Sequence, residues 1–126
     1  MIKIKKITSK LIGDQAERIA CHYLQQQGCQ LIDKNFHCRF GEIDLIMQDG
    51  PYLVFIEVRY RQHSHYGTPL ETITKQKQQK LQRSIQYYLQ KWKHAPLLRI
   101  DVLGLEGHLQ NPKIHWCKNV SLCGEL

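Results

Sequence analysis

Gly41-Glu42-Ile43-Asp44-Leu45-Ile46-Met47, the turn Asp49-Gly50-Pro51, and Tyr52-Leu53-Val54-Phe55-Ile56-Glu57-Val58-Arg59 decide how this chain reads. Each flank is an apolar run of strand length, and Asp49-Gly50 supplies residues that tolerate positive φ in a hairpin turn. Acidic side chains stand inside both arms. Ionised carboxylates are seldom buried without a partner, so Glu42, Asp44 and Glu57 call for a compensating charge.

Side chains alternate along a strand, which places Glu42 and Asp44 on one face and Ile43, Leu45 and Met47 on the other. In the second arm Glu57, Arg59 and Arg61 share a face opposite Val54, Ile56 and Val58. A two-residue turn at Asp49-Gly50 pairs Gln48 with Pro51 and sets Glu42 opposite Glu57. Asp44 is then diagonal to Glu57, about 7–8 Å away at Cβ. Two unit charges 4 Å apart repel by about 4 kcal/mol at an effective dielectric near 20, against a domain stability of roughly 5–15 kcal/mol. Either one carboxyl keeps its proton or a cation neutralises the cluster. Oxygen-only donors suit Mg²⁺ or Mn²⁺, which bind few carboxylates and retain waters. Such an ion can activate a water and stabilise charge on a phosphoryl oxygen. A plainer account stands beside this one, in which Arg59, Arg61 and Arg99 pair with the acids as structural salt bridges.

Outward from the hairpin, the periodicity predicts a layered α/β domain. From about Asp14, residues Ala16, Ile19, Ala20, Tyr23 and Leu24 form the stripe of an amphipathic helix that Gly28 closes. Glu17 lies about 100° from Ala16 around the axis, bordering that stripe. It either reaches the acidic face or is a solvated carboxylate near a helix N-terminus. Leu31–Phe36 reads as a strand. A second helix starts near Thr74, carries the stripe Leu81, Ile85, Tyr88, Leu89 and Trp92, and ends at Ala95-Pro96. Leu97–Leu105 and Lys113–Lys118 read as two further strands. Helices of this kind bury their stripes on a sheet.

Composition narrows the function classes. At 126 residues the chain is one domain, with a core over about 13–119 and a short basic N-terminal arm. No apolar segment of signal-peptide length follows Met1-Ile2-Lys3-Ile4-Lys5-Lys6, and no run approaches transmembrane length, so a cytoplasmic location is expected. Eighteen Lys plus Arg against eleven Asp plus Glu give a net charge of +7, which favours anionic partners such as nucleic acid. The cysteines Cys21, Cys29, Cys38, Cys117 and Cys123 contain no C-x-x-C pair and are expected as free thiols. His63-Ser64-His65 and His115-Trp116-Cys117 lack the tight four-ligand clustering of structural zinc. Arg61, Lys75, Lys77 and Lys80 surround the loop and helix start beside the acidic face. They read as phosphate contacts or as a solvated basic helix face.

Gly13-Asp14-Gln15-Ala16-Glu17-Arg18-Ile19-Ala20, Gly41-Glu42-Ile43-Asp44-Leu45-Ile46 and Phe55-Ile56-Glu57-Val58-Arg59-Tyr60-Arg61 together resemble the YraN-like family. The likeness runs over about residues 13–105. Members are small, uncharacterised bacterial proteins of the restriction-endonuclease-like superfamily, similar to archaeal Holliday-junction resolvases and the PD-(D/E)xK nucleases. The resemblance implies a three-layer α/β/α core with a mixed five-stranded sheet. It also implies a Mg²⁺ (or Mn²⁺) site built from Glu17, Asp44 and Glu57, with Arg59 at the position of the superfamily's lysine. Thirteen positions separate Asp44 from Glu57, a spacing similar to the resolvases. Arg59 and Arg61 would then engage the scissile phosphate. Arginine holds an oxyanion bidentately but cannot accept a proton, so Arg59 permits phosphate binding and excludes a general base at its own position. The expectation is a metal-dependent endonuclease-like protein acting on DNA, including branched or structured DNA, and working as a homodimer. The alternatives are a nucleic-acid-binding module that keeps the fold without catalysis, and a partner-binding scaffold. Asp101, beside Arg99, reads as an ion pair or as a support to the site.

Overall fold

A computed structural model describes residues 2–63 and 68–122, with side chains from Thr8 onward. Its elements are α1 (Ile2–Gln26), β1 (Gln30–Cys38), β2 (Gly41–Asp49), β3 (Tyr52–Arg61), a 3-10 turn (Leu70–Thr72), α2 (Lys75–Leu89), β4 (Leu98–Glu106) and β5 (Lys113–Cys117). The five strands form one sheet in chain order, antiparallel except for the parallel pair β3/β4 that α2 bridges. A crossover helix is what a parallel pair requires.

Two apolar clusters make this a three-layer α/β/α domain with a mixed sheet. Ala16, Ala20 and Leu24 of α1 pack on Leu45, Met47, Val54, Ile56, Leu103 and Leu105. On the other face Leu81, Ile85 and Tyr88 of α2 cover Ile43, Ile46, Leu53 and Phe55. The restriction-endonuclease-like layering expected from the sequence is therefore present. Gly28 ends α1 as read: with φ at 99°, it lets the Cys29 N–H reach the Leu24 carbonyl and its own N–H reach that of Gln25. Thr74 caps α2, its hydroxyl accepting from the Lys77 N–H at 3.1 Å.

Several expectations are corrected. The helix begins at Ile2 rather than near Asp14, so the basic N-terminal segment lies within it. That segment is rich in Lys and Ile and contains no proline, and the stripe marks only the part that meets the sheet. The second helix stops at Leu89, leaving Trp92 outside it and 41 % exposed. The hairpin turn is Gly50-Pro51, not Asp49-Gly50: Asp49 pairs with Tyr52 and Gln48 with Leu53. Gly50 takes φ of 56° and the proline ring fixes a negative φ, the sign pattern of a type II′ turn. The register therefore moves by two residues, which keeps every side chain on its face but no longer sets Glu42 opposite Glu57.

Alternation also fails at one point. Ile43 packs on the α2 side with Ile46, whereas Leu45 and Met47 face α1. The register of β1 with β2 skips Asn35 and Asp44, and Asn35 holds φ of 52°. The pairing of β2 with β3 begins only at Leu45↔Ile56. Glu42, Ile43 and Asp44 thus lie where β2 parts from β3. His65 and Cys123 fall outside the described residues.

Candidate active site at the β2/β3 fork

Where two strands part, backbone donors lose their ladder partners. The Val58 N–H, freed in this way, donates to Asp44 Oδ2 at 2.8 Å. Asp44 is thereby drawn into the fork, where it is buried. Continuing the β2/β3 register past Leu45↔Ile56 brings Asp44 level with Glu57. Glu57 is 2 % exposed, and its carboxyl lies beside that of Asp44. Burial, then the hydrogen bond and charge of Glu57, hold the Asp44 carboxyl well above the usual carboxylate range, against the lowering effect of the Val58 N–H. Asp44 is thus the carboxyl that this setting biases toward its protonated form while no cation is present.

Glu17 joins from α1. Its carboxyl is raised to about 7, first by burial and then by the charges of Glu42, Asp14 and Glu57, with Lys34 of β1 acting in the opposite sense. Its Oε1 is buried without a hydrogen-bond partner among the described residues. Glu42 is different: it is exposed and lies 3.4 Å from His37 Nδ1. It lies between two hollows. One, of about 250 Å³, is lined by Glu57, Thr74, Lys77 and Lys80 on the α2 side. The other, of about 980 Å³, is lined by Glu17, Asp14, Arg18 and Lys34 on the α1 side. Both include Glu42.

The arginines go elsewhere. Arg59 donates from Nε to Thr72 Oγ1 and from Nη2 to the Thr72 carbonyl, each at 3.2 Å. Thr72 in turn donates to the Pro69 carbonyl at 2.6 Å, and Pro69 presses on Gly104 so closely that a Cβ there would lie 2.5 Å from its Cγ. Arg59 therefore fastens the 3-10 turn over the sheet. Arg61 Nη2 pairs with Glu106 at 3.1 Å. Arg99 binds Asp101 and Asp49. The plainer salt-bridge account of the acids is set aside by these contacts. The cation in contact with Glu57 is Lys77, whose Nζ lies 2.9 Å from Oε2. The angle there is outside hydrogen-bond geometry, so Oε2 gains a charge neighbour and no hydrogen bond.

The structure thus brings Asp44 and Glu57 together, puts Glu17 within electrostatic reach, and delivers Lys77 and Lys80 to the same hollow. Arg59 and Arg61 face other partners, and Lys75 is exposed at the first position of α2. Sequence reasoning placed Lys77 beside the acidic face as a phosphate contact or on a solvated helix face; its pairing with Glu57 depends on how α2 docks.

The donor chemistry at the fork fits a hard divalent cation: oxygen atoms only, two buried carboxyls side by side, and an orphaned carboxylate oxygen nearby. Among the described residues no three His, Cys, Asp or Glu side chains form a metal-ready group. Asp44 and Glu57 are the two that fit, and Mg²⁺ is commonly held by one or two carboxylates with waters and substrate phosphate completing the shell.

Comparison with known proteins shows the family of this chain. The model of the uncharacterised protein family UPF0102 matches residues 16–105, spanning α1, the acidic hairpin, α2 and β4. The chain belongs to that family. A UPF0102 protein of Nitrosococcus oceani is 44 % identical over 118 residues, covering 92 % of this chain and 95 % of the relative. One from Coxiella burnetii is 48 % identical over 112 residues, 86 % of this chain and 89 % of its own. A Legionella pneumophila UPF0102 protein is 43 % identical over 109 residues, 85 % and 91 % respectively. The motifs quoted for the YraN-like resemblance lie almost wholly inside the UPF0102 match. No described helix is long and apolar enough to cross a membrane.

Proposed function

We propose that this UPF0102 protein is a metal-dependent endonuclease-like protein that binds DNA and hydrolyses its phosphodiester bonds, with branched or structured DNA as its substrate class. One observation carries the reading: the Asp44 and Glu57 carboxyls lie buried side by side at the β2/β3 fork, while Arg59, Arg61 and Arg99 are engaged with other partners. Asp44 and Glu57 would hold Mg²⁺ or Mn²⁺, with Glu17 facing the ion from α1. Bound there, the ion supplies an activated water and charge stabilisation at a phosphoryl oxygen. Lys75, Lys77 and Lys80 of α2 would hold the DNA backbone, a sequence-independent role that sets register. Arg59 and Arg61 are engaged with Thr72 and Glu106, so they reach a phosphate only by exchanging those partners for it. A homodimer would match two active sites to a two-fold junction.

The test is calorimetric titration of Mg²⁺ and Mn²⁺ into the wild type and Asp44→Asn, with cleavage assays on duplex, flap and four-way DNA. Cation binding and cleavage that are both lost in Asp44→Asn are expected. Wild-type cleavage undiminished in EDTA would sink the proposal.

Arg59 supports a second reading. Standing at the lysine position of the motif yet bound to Thr72, it leaves a nucleic-acid-binding module without catalysis. That reading expects steeply salt-dependent DNA binding and no cleavage with any divalent ion.

A further inference from the structure

Glu57-Val58-Arg59 would be expected to carry its own cation, two residues beyond the acid and on the same face of β3. In this chain it does not. Arg59 is held by two hydrogen bonds to Thr72, and that turn is itself locked by Pro69 against Gly104. The cation beside Glu57 comes instead from the first turn of α2. Thr74 fixes that turn by capping the Lys77 N–H. The β1–β2 connection lies against the same helix: a Cβ on Gly41 would stand 3.4 Å from Ser84 Oγ and 3.6 Å from Lys80 Cβ. Lys77 Nζ then sits 2.9 Å from a Glu57 carboxylate that is 2 % exposed, while its own side chain remains 45 % exposed. One end of the lysine is thus at the acidic pair and its stem is open to the hollow shared with Lys80 and Thr74.

We infer that Lys77 of α2, not Arg59, is the cation that serves the acidic pair: it neutralises Glu57 until a divalent ion takes Glu57 over, and its freed ammonium then turns to a phosphate oxygen of the DNA. The inference rests on the metal-dependent reading above and gives it a different residue at the motif's cationic position. An ammonium on a flexible stem can change partners in this way. A guanidinium clamped by two hydrogen bonds to a buttressed turn is poorly suited to do so. The lysine and the divalent ion carry charge of the same sign and want the same carboxylate, so they compete.

Two measurements test this, the first with no metal present. In EDTA, thermal unfolding is followed for Lys77→Met, Glu57→Gln and the double variant, and in parallel for Arg59→Met with Glu57→Gln. Lys77→Met is expected to lower Tm by several degrees when Glu57 is intact and to leave Tm nearly unchanged when Glu57 is glutamine. Arg59→Met is expected to lower Tm equally in both backgrounds, since it loses only Thr72. Coupling of Glu57 to Arg59 and not to Lys77 overturns the assignment. The second measurement is Mn²⁺ affinity by calorimetry. Lys77→Met is expected to tighten Mn²⁺ binding at least about threefold and Lys77→Arg to leave it close to wild type, with cleavage of four-way DNA falling at least a hundredfold in Lys77→Met. Unchanged or weakened Mn²⁺ binding in Lys77→Met overturns the competition. If the wild type binds no Mn²⁺ at all, the metal-dependent reading falls and with it the exchange. The unfolding cycle then decides by itself whether Lys77 is the partner of Glu57.

Discussion

Asp101 and the Asp44–Glu57 pair are buried carboxylates in the same sheet, and the chain treats them in opposite ways. Asp101, 0 % exposed, accepts four hydrogen bonds: from Arg99 Nε and Nη2 at 3.0 Å each, from Trp116 Nε1 at 2.9 Å and from the Asn119 N–H at 2.9 Å. Arg99 also bonds Asp49 at 2.8 Å. Every lone pair that burial would orphan has been given a donor. At the fork Asp44 has the Val58 N–H and a carboxyl neighbour that repels it once both are ionised, Glu57 has Lys77 at one oxygen, and Glu17 Oε1 has no hydrogen-bond partner among the described residues. Among the described buried acids, Asp101 is the one given a full set of donors. The unsatisfied acids are the ones expected to have a use, because strained, destabilised groups are retained where function needs them.

The contrast can be broken by substitution. The largest effect is expected at the satisfied network: Arg99→Met strands Asp101 and should cost about 3–5 kcal/mol in denaturant unfolding, as removal of one partner of a buried pair does. A loss below about 1 kcal/mol would mean that Asp101 is not held as described. The opposite sign is expected at the fork. Asp44→Asn replaces a carboxyl that burial and Glu57 hold toward its protonated form with a neutral amide, whose oxygen can still accept from Val58. In EDTA it should raise stability by about 0.5–2 kcal/mol, the range usual for relieving such a site. The same variant should lose the rise in Tm that millimolar Mg²⁺ gives the wild type, since a ligand stabilises only what it binds.

A smaller effect separates Glu17. Its folded-state value, about 7, lies above the ordinary 4.5, so the folded protein keeps a proton that the unfolded chain has released. The stability this contributes is complete below about pH 4.5 and lost as pH rises through about 7. Glu17→Gln should therefore gain Tm relative to the wild type between pH 5 and pH 8 when no divalent ion is present. Parallel curves would place Glu17 in solvent. The smallest effect is expected at the turn, where Thr72→Val removes a hydroxyl that accepts from Arg59 and donates to Pro69, a loss of about 1 kcal/mol. That loss should leave Mg²⁺ affinity unchanged if Arg59 belongs to the turn and not to the acids.

Much of this was legible in the chain. The period of Ala16, Ala20 and Leu24, the Gly28 stop, the Thr74 cap and the apolar runs of β2 and β3 each depend on nearest neighbours, and all appear as read. The acidic residues announced themselves by being wrong for their surroundings. Where reading failed, a decision of one or two residues was propagated by geometry. The turn could close at Asp49-Gly50 or at Gly50-Pro51, and the difference moved Glu57 from Glu42 to Asp44. A strict alternation was assumed through Ile43, where β2 instead departs from β3.

The sequence by itself determined which elements form, that acids would be embedded in a central hairpin, and that the chain carries excess positive charge, because these follow from local periodicity, turn chemistry and composition. Only the tertiary structure decided which charges meet. Arg59 stands two residues from Glu57 and bonds Thr72, whereas Lys77 stands twenty residues away and touches Glu57, a pairing set by how a crossover helix packs on the sheet.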